Sequence, residues 1–205
     1  MNAILTHAEE TILESLSKHV RLLSVGQLGQ LVDSDSRAVN RIVGKLIERG
    51  FVRLGRASLP VVPEMSRPIY RTNRRCTSDI SFESLAWQLT KRGRKELEPT
   101  MFISITAKGA KKTGGWVLKP KMAHLFHDLC MSQVFVNYWK SNQNAAESWE
   151  PEELIAFDRD FRSPTPDAFI TSLKRVIEIG GPSYTAERLR TLHETFAPNF
   201  EYELW

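Results

Sequence analysis

The sequence predicts an α+β protein built in two parts. Three short helical stripes followed by a strand open the chain. A longer helix, several short apolar segments, another helix and a closing strand follow. Charge divides in the same sense. Residues 1–119 hold 20 Lys and Arg against 11 Asp and Glu, whereas residues 120–205 hold 8 against 13. A first half at +9 and a second at −5 imply different partners, and a basic module of this size suits nucleic acid.

The composition, with 41% hydrophobic and 25% charged residues over 205 positions, is that of a globular chain with a full core. No apolar run reaches the roughly 20 residues of a membrane helix. The opening Met1-Asn2-Ala3-Ile4 has no signal-peptide pattern, so a cytoplasmic location without membrane contact is expected. Cys76 and Cys130 are too few for a disulfide framework or a zinc site.

The first helix starts at a capping box, Thr6-His7-Ala8-Glu9, and carries the stripe Ile12, Leu13, Leu16 and Val20. A second helix fits Ser24 to Val32, with Val25, Leu28 and Leu31 inward. The turn Asp33-Ser34-Asp35-Ser36 leads to a third helix, Ser36 to Arg49, burying Val39, Ile42, Val43 and Leu46. Gly50 suits a C-cap, and Phe51 to Leu54 reads as a strand. Three short helices and a strand with a tight second turn form a helix-turn-helix with a wing.

Two phrases resemble the winged-helix DNA-binding superfamily. One is Glu48-Arg49-Gly50-Phe51-Val52, at the exit of the third helix. The other is Ile105-Thr106-Ala107-Lys108-Gly109, which resembles the returning wing strand and the helix start after it. Between them lies an insertion over 55–100 that contains Pro60, Pro63 and Pro68 and a helix from Ser81 to Lys91. Paired glycines and Pro120 in 111–120 place the domain boundary, giving 1–115 and 116–205. Beyond it, a helix is expected from Pro120 to Lys140. Strands follow at Leu154–Phe157, Ala168–Leu173 and Val176–Ile179, then a helix from Thr185 to Thr195 and a strand in 200–205.

On the third helix, Ser36, Arg37, Asn40, Arg41 and Lys45 share the face opposite the apolar stripe. Arg and Asn can make paired hydrogen bonds to guanine and adenine edges in the major groove. Arg53, Arg56, Arg71, Arg74 and Arg75 suit phosphate contact, with 71–75 as a possible minor-groove arm. A fragment ending near Lys112 is expected to bind duplex DNA with steep salt dependence.

In the second half, Pro166-Asp167 precedes Ile177-Glu178-Ile179-Gly180. This resembles the nuclease fold in which two strand-borne acids hold a divalent metal and a Lys assists the attacking water. Gly180 stands at the Lys position. Lys174 or Arg175 could substitute from elsewhere, and Glu150, Glu152 or Glu153 could supply a third carboxylate. The whole chain resembles the replication–relaxation family of plasmids and other mobile elements. The phrases that carry this are His127-Asp128-Leu129, Pro166-Asp167-Ala168, Ile177-Glu178-Ile179-Gly180 and Glu187-Arg188-Leu189. The resemblance implies a winged helix followed by a small α/β domain like a degenerate restriction endonuclease.

The expected function is an accessory protein that binds duplex DNA at a replication or transfer origin. A relaxase or replication initiator would be recruited through the second domain, with homodimerisation through Trp205 and the closing strand as a further expectation. No enzyme activity, cofactor or bound metal is expected. The alternatives are a transcriptional regulator and a metal-dependent nuclease using Asp167 and Glu178. His124, His127 and Asp128 are read as packing or capping residues. The five Trp do not alternate with basic residues, so no single-strand stacking platform is expected.

Overall fold

A computed structural model describes residues 4–63, 65–72, 80–92, 96–155 and 164–205. In chain order the elements are α1 (His7–Lys18), β1 (Leu23–Ser24), α2 (Val25–Leu31), α3 (Ser36–Glu48), β2 (Val52–Pro60) and β3 (Tyr70–Arg71). Then come α4 (Phe82–Arg92), β4 (Leu97–Ile105), α5 (Ala107–Thr113), α6 (Leu125–Ser141), α7 (Gln143–Glu147) and β5 (Trp149–Pro151). The chain closes with α8 (Glu152–Ile155), β6 (Ala168–Ile170), β7 (Arg175–Glu178), α9 (Ala186–Phe196) and β8 (Glu201–Leu204). The α+β class expected from the sequence is what the chain forms.

The two compact units are not the two halves of the sequence. Unit 1 combines 1–62 with 97–141, and unit 2 combines 63–96 with 142–205. The boundary near residue 115 is therefore corrected. The segment expected as an overgrown wing supplies unit 2 with β3 and α4, and α6 belongs to unit 1. Charge redistributes accordingly. Unit 1 has 14 Lys and Arg against 8 Asp and Glu, a net of +6, and unit 2 has 14 against 16, a net of −2.

Unit 1 packs α1, α2 and α3 on a three-stranded antiparallel sheet in the order β1-β4-β2. Each of its first helices starts on a side-chain cap. Thr6 and Glu9 close one capping box, Ser24 and Gln27 a second, and Asp35 accepts from the Ala38 N–H. Strands β2 and β4 pair over nine residues, from Val52↔Ile105 to Pro60↔Leu97. Gly55 sits beneath the Phe102 ring, where a Cβ would lie 2.3 Å from a ring carbon. Phe102 then joins Leu22, Leu125 and Leu129 in a core, with Ala57, Leu59 and Val62 against it. Helix α6 thus covers one face of the hairpin.

Unit 2 holds a five-stranded mixed sheet in the order β3-β8-β7-β6-β5, with β7 and β8 parallel and the other pairs antiparallel. Leu85 and Leu89 of α4 and Leu189, Leu192 and Phe196 of α9 pack on Val176, Tyr202 and Leu204. Strand β8 lies inside the sheet between β3 and β7, and Trp205 is buried. The expectation that Trp205 and the closing strand form an open edge is therefore overturned. The strand expected at Leu154–Phe157 is corrected at its start, because Glu152–Ile155 is a short helix, and its last two residues lie outside the described residues. Pro151 ends β5, and Glu152 and Glu153 occupy a helix first turn, where acids are favoured.

Candidate nucleic-acid interface and a buried carboxylate pair

Helix α3 turns Val39, Val43 and Leu46 inward and leaves Ser36, Arg37, Asn40, Arg41 and Lys45 exposed. Its only acid is Glu48, at its last residue. Both ends are fixed by close contacts. At the start, Gly29 lets α2 approach the Ser34 carbonyl, where a Cβ would stand 3.0 Å away, and Asp33 takes a left-handed φ of 48°. At the end, Gly50 has φ 68°, and the Gly50 and Phe51 N–H groups return to the Ile47 and Leu46 carbonyls.

The two phrases that pointed to a winged helix meet here. Thr106 Oγ1 donates to the Gly50 and Phe51 carbonyls, and Lys108 Nζ donates to the Arg49 carbonyl at 2.7 Å. A Cβ on Gly109 would lie 2.2 Å from the Phe51 carbonyl oxygen, so only glycine fits. Arg49 itself reaches back to buried Glu9 at 3.2 Å.

On the hairpin, Arg53 pairs in register with Ser104 and Arg56 with Met101, and both arginines are exposed. Strand alternation sends them to opposite faces. Arg71 lies on β3 in unit 2 and pairs with Glu203 at 2.5 Å, a carboxylate with no exposed surface. This gives Arg71 a partner inside unit 2, because a buried carboxylate demands a cation, while its guanidinium stays half exposed. Arg74 and Arg75 lie outside the described residues.

Asp167 and Glu178 do come together. Asp167 Oδ2 accepts the Ile179 N–H at 2.8 Å, and the Glu178 carboxyl hydrogen-bonds to Asp167. The Tyr184 hydroxyl donates to Glu178 Oε2 at 3.3 Å. Arg188 donates to that hydroxyl and lies 4.0 Å above the Tyr184 ring. Burial, then the neighbouring Asp167 charge, push the Glu178 carboxyl well above the usual range. Burial also raises the Tyr184 and Tyr202 phenols. The Tyr202 hydroxyl, buried close to Glu178, has no hydrogen-bond partner among the described residues.

This pair does not fit a divalent metal. Only two carboxyls meet here, and the described residues contain no group of three His, Cys, Asp or Glu side chains able to hold an ion. A Cβ on Gly180 would fall 2.5 Å from Leu89, so α4 fills the space a lysine would need. Arg175 does not replace it. Alternation puts Arg175 on the other face from Glu178, where it pairs with Glu201 and Glu203. Lys174 is exposed at the end of a 3-10 turn, and Glu150 accepts from Thr171. Buried Asp128 pairs with Arg21 at 2.6 Å, and His124 contacts the His127 ring edge-on.

Sequence reasoning missed Tyr184 and Tyr202. Neither carries a spacing signal, and both matter only through a sheet register set by distant residues. Comparison with protein-family models, curated proteins and solved structures finds no match. No helix among the described residues is long and apolar enough to cross a membrane.

Proposed function

We propose that unit 1 is a winged-helix module that binds duplex DNA, with α3 in the major groove and the β2–β4 hairpin as its wing. One observation carries this reading. Arg37, Asn40, Arg41 and Lys45 project from an α3 face without acids, and the helix is clamped at both ends. Rigid placement matters because base-edge hydrogen bonds tolerate little misalignment. The net charge of +6 on unit 1 supplies the phosphate attraction.

Unit 2 is read as a degenerate nuclease-like domain that contacts protein. The burial of Glu178 and the Leu89 side chain over Gly180 argue against a working hydrolytic site. The whole chain then acts as an accessory factor at a replication or transfer origin of a mobile element, recruiting a relaxase or replication initiator. Transcriptional regulation is the alternative for the same interface.

The test is a gel-shift series on duplex DNA selected by the full chain from a random library. Affinity should fall linearly on a logarithmic salt scale, and the selected pool should share a motif. Salt-independent binding, or a pool without a motif, contradicts the reading. Because Asp167 and Glu178 lie side by side, a nuclease remains the second reading. Supercoiled plasmid incubated with the protein and magnesium or manganese should stay intact. Nicking abolished by Asp167→Ala would establish cleavage instead.

A further inference from the structure

Trp116 is 64% exposed although the backbone around it is tightly held. Gly114 ends α5 with φ 69°, and Gly115 packs so closely on α1 that a Cβ would lie 2.5 Å from Ser17 Oγ. The Trp116 N–H donates to the Ser17 carbonyl at 2.7 Å, and the Ser17 and Thr113 hydroxyls bond beside it. Two residues on, Leu118 is buried. The indole is thus held out of the fold between two anchors. Its apolar neighbours in sequence, Val117 and Met122, are exposed as well, Met122 to 74%.

Along the sequence the charge beside it has one sign. From Thr106 to His127 the chain has five lysines, Lys108, Lys111, Lys112, Lys119 and Lys121, and no Asp or Glu. Lys108 anchors this run to the end of α3 through the Arg49 carbonyl, so the basic segment begins where the proposed DNA-reading helix stops.

We propose that Trp116 is a stacking platform for an unpaired base of single-stranded DNA, with the surrounding lysines following its phosphates. An exposed aromatic ring among cations is the arrangement that binds single strands irrespective of sequence, because every base offers a π face. A rigid ring pays little ordering entropy on stacking. An anionic membrane is the weaker fit, since interfacial binding needs a broad apolar face and this patch offers three side chains. The proposal departs from the sequence expectation of no stacking platform at this one tryptophan, near which the lysines cluster in sequence without alternating. The proposal extends the reading of unit 1 as a DNA-binding module to DNA that is partly unwound.

The experiment uses the full chain and fluorescein-labelled probes in an anisotropy titration. The probes are a blunt duplex, the same duplex with an oligothymidine tail, and oligothymidine alone. Trp116→Ala should weaken the tailed duplex and oligothymidine on the order of 10- to 100-fold and leave the blunt duplex unchanged. Trp116→Phe should restore most of the loss. Equal binding of the tailed and blunt duplexes by the native protein overturns the proposal, as does a Trp116→Ala variant that matches it. Loss of binding to phosphatidylserine vesicles without loss of oligothymidine also overturns it, in favour of a membrane. Oligothymidine binding that depends on Trp116, with no binding of blunt duplex, supports the platform while refuting the α3 reading. Failure to bind any probe refutes both.

Discussion

Burial and the Asp167 charge raise the Glu178 carboxyl above the ordinary range, and this gives unit 2 a pH dependence of known sign. Its folded-state value lies above the ordinary 4.5, so the stability from its neutral form is complete below that value. That stability is lost as pH rises through the raised folded value. Thermal melts should therefore show unit 2 weakening as pH climbs, and Glu178→Gln, which keeps a donor toward Asp167, should remove that slope. Parallel slopes in both proteins would assign the effect to another group. Two glycines make a second, opposed pair. Gly109→Ala drives a Cβ into the Phe51 carbonyl and should cost about 1–3 kcal/mol in denaturant titrations. Gly44, inside α3 with open space around it, should gain about 0.5–1 kcal/mol as Ala. A loss at both positions would mean that α3 packs differently.

Among the elements, α3 and the β2–β4 hairpin should separate in how their variants behave. Arg37→Ala or Asn40→Ala should relax sequence preference, each costing about 1–3 kcal/mol at one base position. Arg53→Ala and Arg56→Ala should weaken all duplexes alike and lower the salt slope. Competition binding with a cognate and a scrambled duplex distinguishes the two patterns. Arg71→Ala belongs to neither class. It takes one cation from Glu203, which keeps Arg175 and the Trp205 indole N–H, and should cost unit 2 about 1–2 kcal/mol, a range that allows for the half-exposed guanidinium, without changing duplex affinity. Elements of this kind were unequally legible in the sequence. The first three helices were clear because their caps are local, each closed within three residues. Strand β3 was not, since two residues hold it to β8 through pairs such as Tyr70↔Leu204. Asp167 and Glu178 could be placed side by side from their strands. The helix that covers them could not, because Leu89 reaches Gly180 from an insertion far upstream.

For the whole molecule, the interleaved units decide how the chain can be cut. The fragment ending near Lys112 keeps 63–96 without its sheet and lacks Leu125 and Leu129, which complete the core around Phe102. It should fail to give a cooperative melt. A chain that joins Val62 to Leu97 through a short Gly-Ser link and ends at Ser141 should melt cooperatively and bind duplex DNA. The reverse result, a cooperative fragment of 1–112 and an unfolded joined chain, would show that the units are divided wrongly. The composition shift near residue 115 marks charge along the sequence, whereas contacts between distant segments define the units.

The same interleaving sets a timetable for synthesis. Ribosomes release chain at about 5–20 residues per second, and domains close as their last segment emerges. Unit 1 must wait for α6, holding 63–96 as an unpaired loop meanwhile. That loop includes α4, whose Leu85 and Leu89 are buried in the finished fold, and β3, which waits for β8 at Glu201–Leu204. During this interval the nascent chain offers an apolar helix with nothing to cover it. A stalled ribosome or a premature stop within 142–200 would leave unit 1 bearing a sticky loop, a natural target for chaperones and proteases.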